Sequence, residues 1–507
     1  AFSFSQCCLP GHPLRGLSVR YLSCEFMDEV ATASFQRSAT IHEIEPVVIR
    51  SKGRDVFCPR DGRQGAAYVD CVCSELGAGL SGFMLSYTWG YKVGDVIDTL
   101  LDFCARKGLN TSATYVWICC LCINQHRVQA RKAAVPFHEF KEAFHQRVTG
   151  IGRIIAMMEP WVQPAYLSRV WCVFEMHTAI KDGLEIAIAM PPAQSYDLRQ
   201  FLLSGQALGK MWEALRGVQI QNATATMPED KNNIIALVEQ TSDIHTLNIT
   251  VAEYLQSWIV ETASAMLGML DNDHGCIPKM CCSVGFLYSD IGEYAHAEEI
   301  YLQGLEACEK AGTLKTCDGA RLQHKLGVLK RRQSDYDGAM RMYEMAKATY
   351  ESMGELESPE GAHLLLCIGQ VYEHQMVLER AIDVYTSSRS IRESTNTMET
   401  ERGAILLLSM AQTRRKQGDI LSALEDLEQA RGIRERLKIM ETPGGASLLT
   451  TFGEVKADQG DMAGAQKYYS AAKIIFERTG TLKTPNAKHV LRLIEGLVVG
   501  NDQTISR

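Results

Sequence analysis

No stretch of this sequence approaches the roughly 18–20 consecutive apolar residues that a membrane-spanning helix needs, so no membrane span is expected. The longest apolar runs, Tyr115–Ile123 and Leu184–Met190, have the length of strands. No charged segment followed by an apolar core opens the chain, so no secretory signal is expected in it. The chain starts at Ala1 rather than Met, and a preceding piece could have carried one. Excess positive charge is also missing: 52 Lys+Arg stand against 60 Asp+Glu, a net charge of -8. Binding nucleic acid needs clustered positive charge against phosphates, so no nucleic-acid partner is expected. A polybasic membrane-surface protein is excluded on the same ground. There is no phosphate-cradling Gly-x4-Gly-Lys-Ser/Thr loop, and Gly150-Ile151-Gly152 lacks the third glycine of a dinucleotide fingerprint. Well-spaced cysteine pairs are scarce. The 17 cysteines are odd in number, and Cys7-Cys8, Cys119-Cys120 and Cys281-Cys282 are adjacent. That pattern suits reduced thiols used as small hydrophobic residues, and it points to the cytoplasm.

What is present fits a soluble chain of about three domains. The C-terminal half repeats itself with a period of 42 residues: Ala297, Ala339, Ala381, Ala423 and Ala465 form one column. Tyr301, Tyr343, Tyr385 and Tyr469 form a second, with Leu427 in the gap. Gly285, Gly327, Gly369 and Gly453 form a third, with Ala411 in the missing slot. The phrase beginning at Gly312 recurs at Gly480. Each unit reads as two helices, for example Ala320–Gln333 and Gly338–Met353 about a turn at Ser334–Asp337. The small residues let two helices approach closely.

Gly327, Ala339, Tyr343 and Ala346 resemble the small-residue and aromatic positions of the tetratricopeptide repeat. The usual unit is about 34 residues. Eight more per unit is similar to the variant of kinesin light chains and nephrocystin-type proteins. The resemblance covers about 275–495, some five units, and implies an all-α solenoid whose concave face binds a protein or peptide. The lattice columns are expected to be core. Ligand contacts would come from polar positions off the lattice, such as Arg331, Arg332, Gln370 and Lys416.

The N-terminal half has a different rhythm. Thr40–Arg50 alternates enough for a strand, and residues 1–78 are otherwise a weakly defined extension. From 79 to 195, strands (Phe83–Tyr87, Tyr115–Cys122, Ile151–Met158, Leu184–Met190) alternate with helices (Asp95–Lys107, Phe137–Val148, Ala165–Lys181). Alternation of this kind predicts a parallel sheet covered on both faces, of flavodoxin-like type. Ligands of such sheets sit outside the carboxyl ends of the strands, which puts Ser86–Gly90 and Cys122–His126 on one rim. Residues 196–274 read as a helical connector, with helices opened by Pro228 and by a capping box at Thr250 and Glu253. Residues 496–507 read as a tail.

Leu85-Ser86-Tyr87 is similar to the first box of Toll/interleukin-1 receptor (TIR) domains. Ser168-x-x-Trp171-Cys172-x-x-Glu175-Met176 resembles the signature of a later TIR helix. Residues Trp117 to Gln125 resemble a box of the related fungal heterokaryon-incompatibility domains, with Cys119 where that box has Asp. Many TIR domains are NAD glycohydrolases whose catalytic Glu lies in this helix. The resemblance therefore implies Glu175 as catalytic residue and NAD as substrate rather than cofactor. Ser86, Tyr87, Trp89 and Trp171 would line the pocket, and the domain would self-associate. A single carboxylate suits the chemistry, because neutral nicotinamide leaves a ribosyl cation that a carboxylate stabilises. Glu175 reads equally as a salt-bridged helix residue, and Trp171 and Cys172 as core. Loss of the Asp at 119 favours a non-catalytic adaptor. Cys119, Cys122 and His126 have a spacing that zinc could use, but a strand would turn 119 and 122 to opposite faces, so no metal is expected.

Overall fold

The computed structural model describes residues 11–74, 76–130, 145–205, 218–225, 228–241, 243–270, 275–479, 481–482 and 484–505. The chain divides into two compact units, Ala1–Thr262 and Ala263–Arg507. The predicted Gly480, the Cys7-Cys8 pair and most of the predicted helix 137–148 fall outside the described residues.

The first unit is built on six strands: β1 (Arg15–Ser18), β2 (Ala78–Leu80), β3 (Phe83–Ser86), β4 (Tyr115–Ile118), β5 (Arg153–Met157) and β6 (Glu185–Ala189). Their spatial order is β2-β1-β4-β3-β5-β6. β3 pairs in parallel with β4 and β5, and β5 pairs in parallel with β6. These four strands, taken alone, have the 2-1-3-4 order of a flavodoxin-like sheet. The sheet is nevertheless mixed, because β1 runs antiparallel to both β2 and β4. This corrects the expectation of a purely parallel sheet that begins near residue 79. The segment before it supplies an edge hairpin and ties it down: the Arg15 guanidinium, 3% exposed, donates to the carbonyls of Val69 and Val72 at 3.0 and 2.8 Å.

Three local readings are also corrected. Thr40 caps a helical turn, Ile41–Ile44, through a reciprocal bond with Glu43, so 40–50 is helical rather than a strand. β4 ends at Ile118, and Cys119–Cys122 is a helical turn. Thr250 lies inside a helix that begins at Ile244, and its hydroxyl donates back to the Thr246 carbonyl. Asp243 accepts the Thr246 N–H there instead. The main helices of this unit are α1 (Val93–Lys107), α2 (Cys119–Cys122), α3 (Val170–Lys181), α4 (Pro192–Ser204), α5 (Pro228–Thr241) and α6 (Ile244–Gly268). α1 ends where Gly108 takes a φ of 63°, as its Gly stop signal implies. Tyr254 of α6 donates to the Ile186 carbonyl of β6 at 2.9 Å.

The second unit is a stack of helical hairpins. They are α7 (Ile277–Ile291) with α8 (Tyr294–Lys310), α9 (Cys317–Arg332) with α10 (Tyr336–Ser352), and α11 (Pro359–His374) with α12 (Leu378–Ser394). Then come α13 (Glu401–Gln417) with α14 (Ile420–Arg436), and α15 (Pro443–Asp458) with α16 (Met462–Arg478), closed by α17 (Pro485–Ile505). First helices of successive hairpins also touch one another, which places them on the inner layer of the stack.

The periodic columns each have a physical role. Ser358, Thr400 and Thr442 accept the N–H three residues on and open α11, α13 and α15. Asp335, Asp419 and Asp461 do the same for α10, α14 and α16. The Gly column exists because the Tyr ring of the same hairpin lies on it. A Cβ at Gly285, Gly327, Gly369 or Gly453 would stand 2.3–2.5 Å from the ring of Tyr301, Tyr343, Tyr385 or Tyr469. The hairpin in which Gly is replaced by Ala411 is the one in which Tyr is replaced by Leu427, and both residues there are fully buried.

Gly369→Ala is therefore expected to destabilise the solenoid by about 1–3 kcal/mol, the usual cost of overpacking. Adding Tyr385→Leu to it, which copies the Ala411 and Leu427 pair, should cost clearly less than the two single changes summed. Denaturant melts of the four proteins check this, and strict additivity would refute the coupling.

Candidate functional site

The sheet's topology sets the place of the first cluster. β4 lies on one side of β3 and β5 on the other, so the chain reverses its winding at β3, and a crevice is expected beyond the carboxyl ends of β3 and β5. Ser86 is the last residue of β3 and is 1% exposed. Its hydroxyl donates a hydrogen bond to Glu175 Oε2 from α3. Tyr166, fully buried, has its hydroxyl 2.8 Å from Ser86 Oγ. With Glu175 ionised, Ser86 spends its one proton on the carboxylate, so Tyr166 donates to Ser86. The result is a relay from Tyr166 through Ser86 to Glu175.

Glu175 keeps partial exposure although protein surrounds its carboxylate. Burial pushes its pKa up to about 7, against the Ser86 hydrogen bond that pulls it down. A carboxyl poised there exchanges protons readily at neutral pH.

Tyr87 is buried, and its hydroxyl accepts from Cys119 Sγ at 3.8 Å. Trp89 is half-buried, with its indole N–H donating to Cys119 Sγ at 3.2 Å and its ring tilted against His42 at 5.5 Å. Trp89 also gives its backbone carbonyl to the His42 N–H. Ser86, Tyr87, Trp89 and Cys119 are thus drawn together. Glu175 lies within electrostatic reach of Cys119, so position 119 does sit near the carboxylate, with a thiol there in place of an acid. Trp171 is bound elsewhere: its indole N–H donates to Asp230 of α5 at 3.2 Å. Cys172 is core, its thiol donating to the Tyr87 carbonyl.

Two residues of this rim escaped the sequence reading. Tyr166 lies just before the Ser168 motif, and nothing in its spacing marks it. Glu159 follows β5, and burial and the nearby Asp95 raise its pKa to about 7. Cys119, Cys122 and His126 are engaged separately. Helical rather than extended, Cys119 Sγ serves Trp89 and Tyr87, Cys122 Sγ accepts the Ile118 N–H, and His126 packs on Gly65.

In the solenoid, three of the four polar positions singled out hold neighbouring hairpins together. Arg332 donates to the Ser289 carbonyl, Gln370 to Ser409 Oγ, and Lys416 to Glu373. Gln412 to Thr451 repeats the Gln370 bond one period on. Arg331 differs, because its Nε is buried without a hydrogen-bond partner among the described residues. Lys325, Arg331 and Arg402 lie within electrostatic reach of the buried His324. Burial, with those three charges adding to it, lowers the His324 pKa to about 3.

The two units together define a class: a helical-repeat protein that also carries a doubly wound α/β unit. Among solved structures the chain is similar to BtubC (BKLC) from P. vanneervenii, at 20% identity over 44% of this chain and 92% of that one, with a TM-score of 0.38. It is similar to the kinesin light chain TPR-like repeats of Podosopora anserina, at 17% identity over 39% and 94%, with a TM-score of 0.34. PilF of Pseudomonas aeruginosa is similar at 16% identity over 47% and 92%, with a TM-score of 0.33. No known protein family and no curated protein matches the chain. No helix among the described residues is long and apolar enough to cross a membrane.

The raised Glu175 pKa gives a signed prediction. The folded state binds a proton that the unfolded chain gives up between its ordinary value of 4.5 and about 7. The contribution of Glu175 to stability is therefore complete below pH 4.5 and is lost as pH rises through about 7. Glu175→Gln should stabilise the first unit by up to about 3 kcal/mol at pH 8 and change little near pH 4. Melting curves across that range read it, and an equal effect at both ends would disprove it.

Proposed function

We propose that this chain is a cytoplasmic protein-binding scaffold whose repeat solenoid takes an acidic protein or peptide segment on its inner layer. The observation that carries this is the charge around His324: Lys325, Arg402 and Arg331 all act on it, and all are cations. Burial lowers the Lys325 pKa; Arg402 and Arg332 add to that fall, and the nearby Cys282 and Cys367 thiols oppose it. Cations held close to a buried histidine lose energy in isolation and recover part of it when a carboxylate arrives. The tetratricopeptide-like lattice supports the same reading, since its packing residues are spent on the core and leave the inner polar positions to a partner.

The test is binding of an array of Asp/Glu-rich peptides to the full chain. Lys325→Glu with Arg402→Glu should weaken binding at least about tenfold, and added salt should weaken binding to the unchanged protein. Binding indifferent to both would refute the reading.

A second reading is favoured by one further observation, the Tyr166–Ser86–Glu175 relay at the carboxyl ends of β3 and β5. In this reading the first unit is a TIR-like effector that cleaves NAD to nicotinamide and ADP-ribose. Glu175, as carboxylate, steadies the ribosyl cation, Ser86 holds it in position, and Tyr87 and Trp89 wall the crevice. Self-association of the unit would complete the pocket. The alternative within the same fold is a pairing surface without catalysis, as the thiol at 119 suggests. Nicotinamide release from NAD by purified protein, alone and forcibly oligomerised, decides between them. The effector reading expects release that rises through pH 7, as Glu175 ionises, and is abolished by Glu175→Gln. Release no greater than that of the variant would leave the pairing surface.

A further inference from the structure

The hairpin formed by α9 and α10 and the one formed by α11 and α12 bring three metal-ligating side chains to one point. His324 comes from α9, and His363 and Cys367 come from successive turns of α11. Positions four apart on a helix share a face, so α11 presents its imidazole and thiol side by side. One ligand atom from each residue lies within 4.8 Å of the other two. Cys367 Sγ is 3.4 Å from His324 Nε2 and 3.9 Å from His363 Nδ1. The two imidazole rings stand 5.0 Å apart at 68°.

Those spacings can be compared with what an ion requires. Bonds of about 2.3 Å to sulfur and 2.0 Å to nitrogen, in trigonal or tetrahedral geometry, hold sulfur and nitrogen about 3.5–3.7 Å apart. The observed separations bracket that range, so an ion needs only small side-chain adjustments. Hydrogen bonding alone is a poorer account of the cluster. A thiol is only a weak donor and a weak acceptor, so its two hydrogen bonds to the imidazoles hold the cluster weakly. His324 and Cys367 are 7% and 2% exposed, while His363 is half-buried and leaves a way in. Both imidazoles are kept neutral, above all by burial, so their lone pairs need shed no proton to bind a metal. Burial raises the Cys367 thiol, while Arg331, Lys325 and Arg402 favour its thiolate.

We propose that His324, His363 and Cys367 form a binding site for one soft d10 metal ion, copper(I). A thiolate with two imidazoles is a donor set for Cu(I) and Zn(II) alike. Two features select the monovalent ion. Three protein donors complete a trigonal copper(I) site, whereas zinc(II) would have to take a water or another fourth ligand into this mostly buried cluster. Copper(I) with one thiolate is neutral, whereas zinc(II) would leave a net positive charge among Lys325, Arg331 and Arg402. Binding adds no redox step: the thiol proton leaves to solvent and the sulfur lone pair bonds to the metal. The site also clamps two hairpins together, since α9 and α11 then share a ligand set.

The experiment uses the full chain, stripped of metal by chelation under reducing conditions. Copper(I) is titrated against a chromophoric copper(I) chelator, and zinc(II) against a zinc chelator in a parallel arm. Because other cysteines also take up copper(I), the readout is the difference between wild type and two variants, Cys367→Ser and the less buried His363→Gln. Circular dichroism confirms that both variants fold. The expected result is one extra tight equivalent in the wild type, weakened more than about 100-fold in either variant. Melting of the wild type alone should shift upward with copper(I). Equal uptake and equal melting shifts in all three proteins would overturn the site. Tighter binding of zinc(II) than of copper(I) at these residues would overturn the choice of ion.

Discussion

A tyrosine ring lying flat on a helix that has no side chain beneath it is the contact on which the repeat array depends. It recurs at Tyr301 on Gly285, Tyr343 on Gly327, Tyr385 on Gly369 and Tyr469 on Gly453. The ring fixes how closely the two helices of a hairpin approach, and the fully buried Ala column on the second helix lets them do so. Other features recur with the same period. The caps at 358, 400 and 442 open the first helix at the same point each time. The bonds from Gln370 to Ser409 and from Gln412 to Thr451 then recur in register. One hairpin meets the same constraint with a smaller ring-free pair, Ala411 and Leu427, and fills the same space.

The polar residues that stand off the lattice divide into two sets. Arg332, Gln370 and Lys416 bind adjacent hairpins and are spent on the array itself. Lys325, Arg331 and Arg402 instead act on a buried histidine and, after burial itself, lower its pKa. A carboxylate-bearing partner and a thiolate at Cys367 relieve the same field. Helix faces rich in charge are common; the charges that act on His324 here are cationic.

In the first unit the governing constraint is desolvation. Glu175 would be an ordinary carboxylate on an exposed helix. Carried to the ends of β3 and β5 it loses water, gains a single hydroxyl donor, and shifts to the neutral range. Ser86 and Tyr166 are 80 positions apart in sequence and meet only because β3 and the turn before α3 share the same rim. The Trp89 indole on Cys119 closes the other side of this rim with a soft contact where an acid would have repelled Glu175.

The sequence alone determined the period of 42, the pairing of helices, the columns that become core, and the alternation that builds β3, β4, β5 and β6. These are local matters: hydrophobic spacing, small residues and stop signals act within one or two turns of chain. Only the tertiary structure decided the rest. It drew Arg15–Ser18 into the sheet as an antiparallel strand, because the pairing partner lies about a hundred residues away at Tyr115 and Val116. It turned the Trp171 indole to Asp230, joined Tyr166 to Ser86, and set His324 beside His363 and Cys367. In each case the energy lies in a contact between distant segments, and no spacing along the chain encodes the direction in which a side chain meets them.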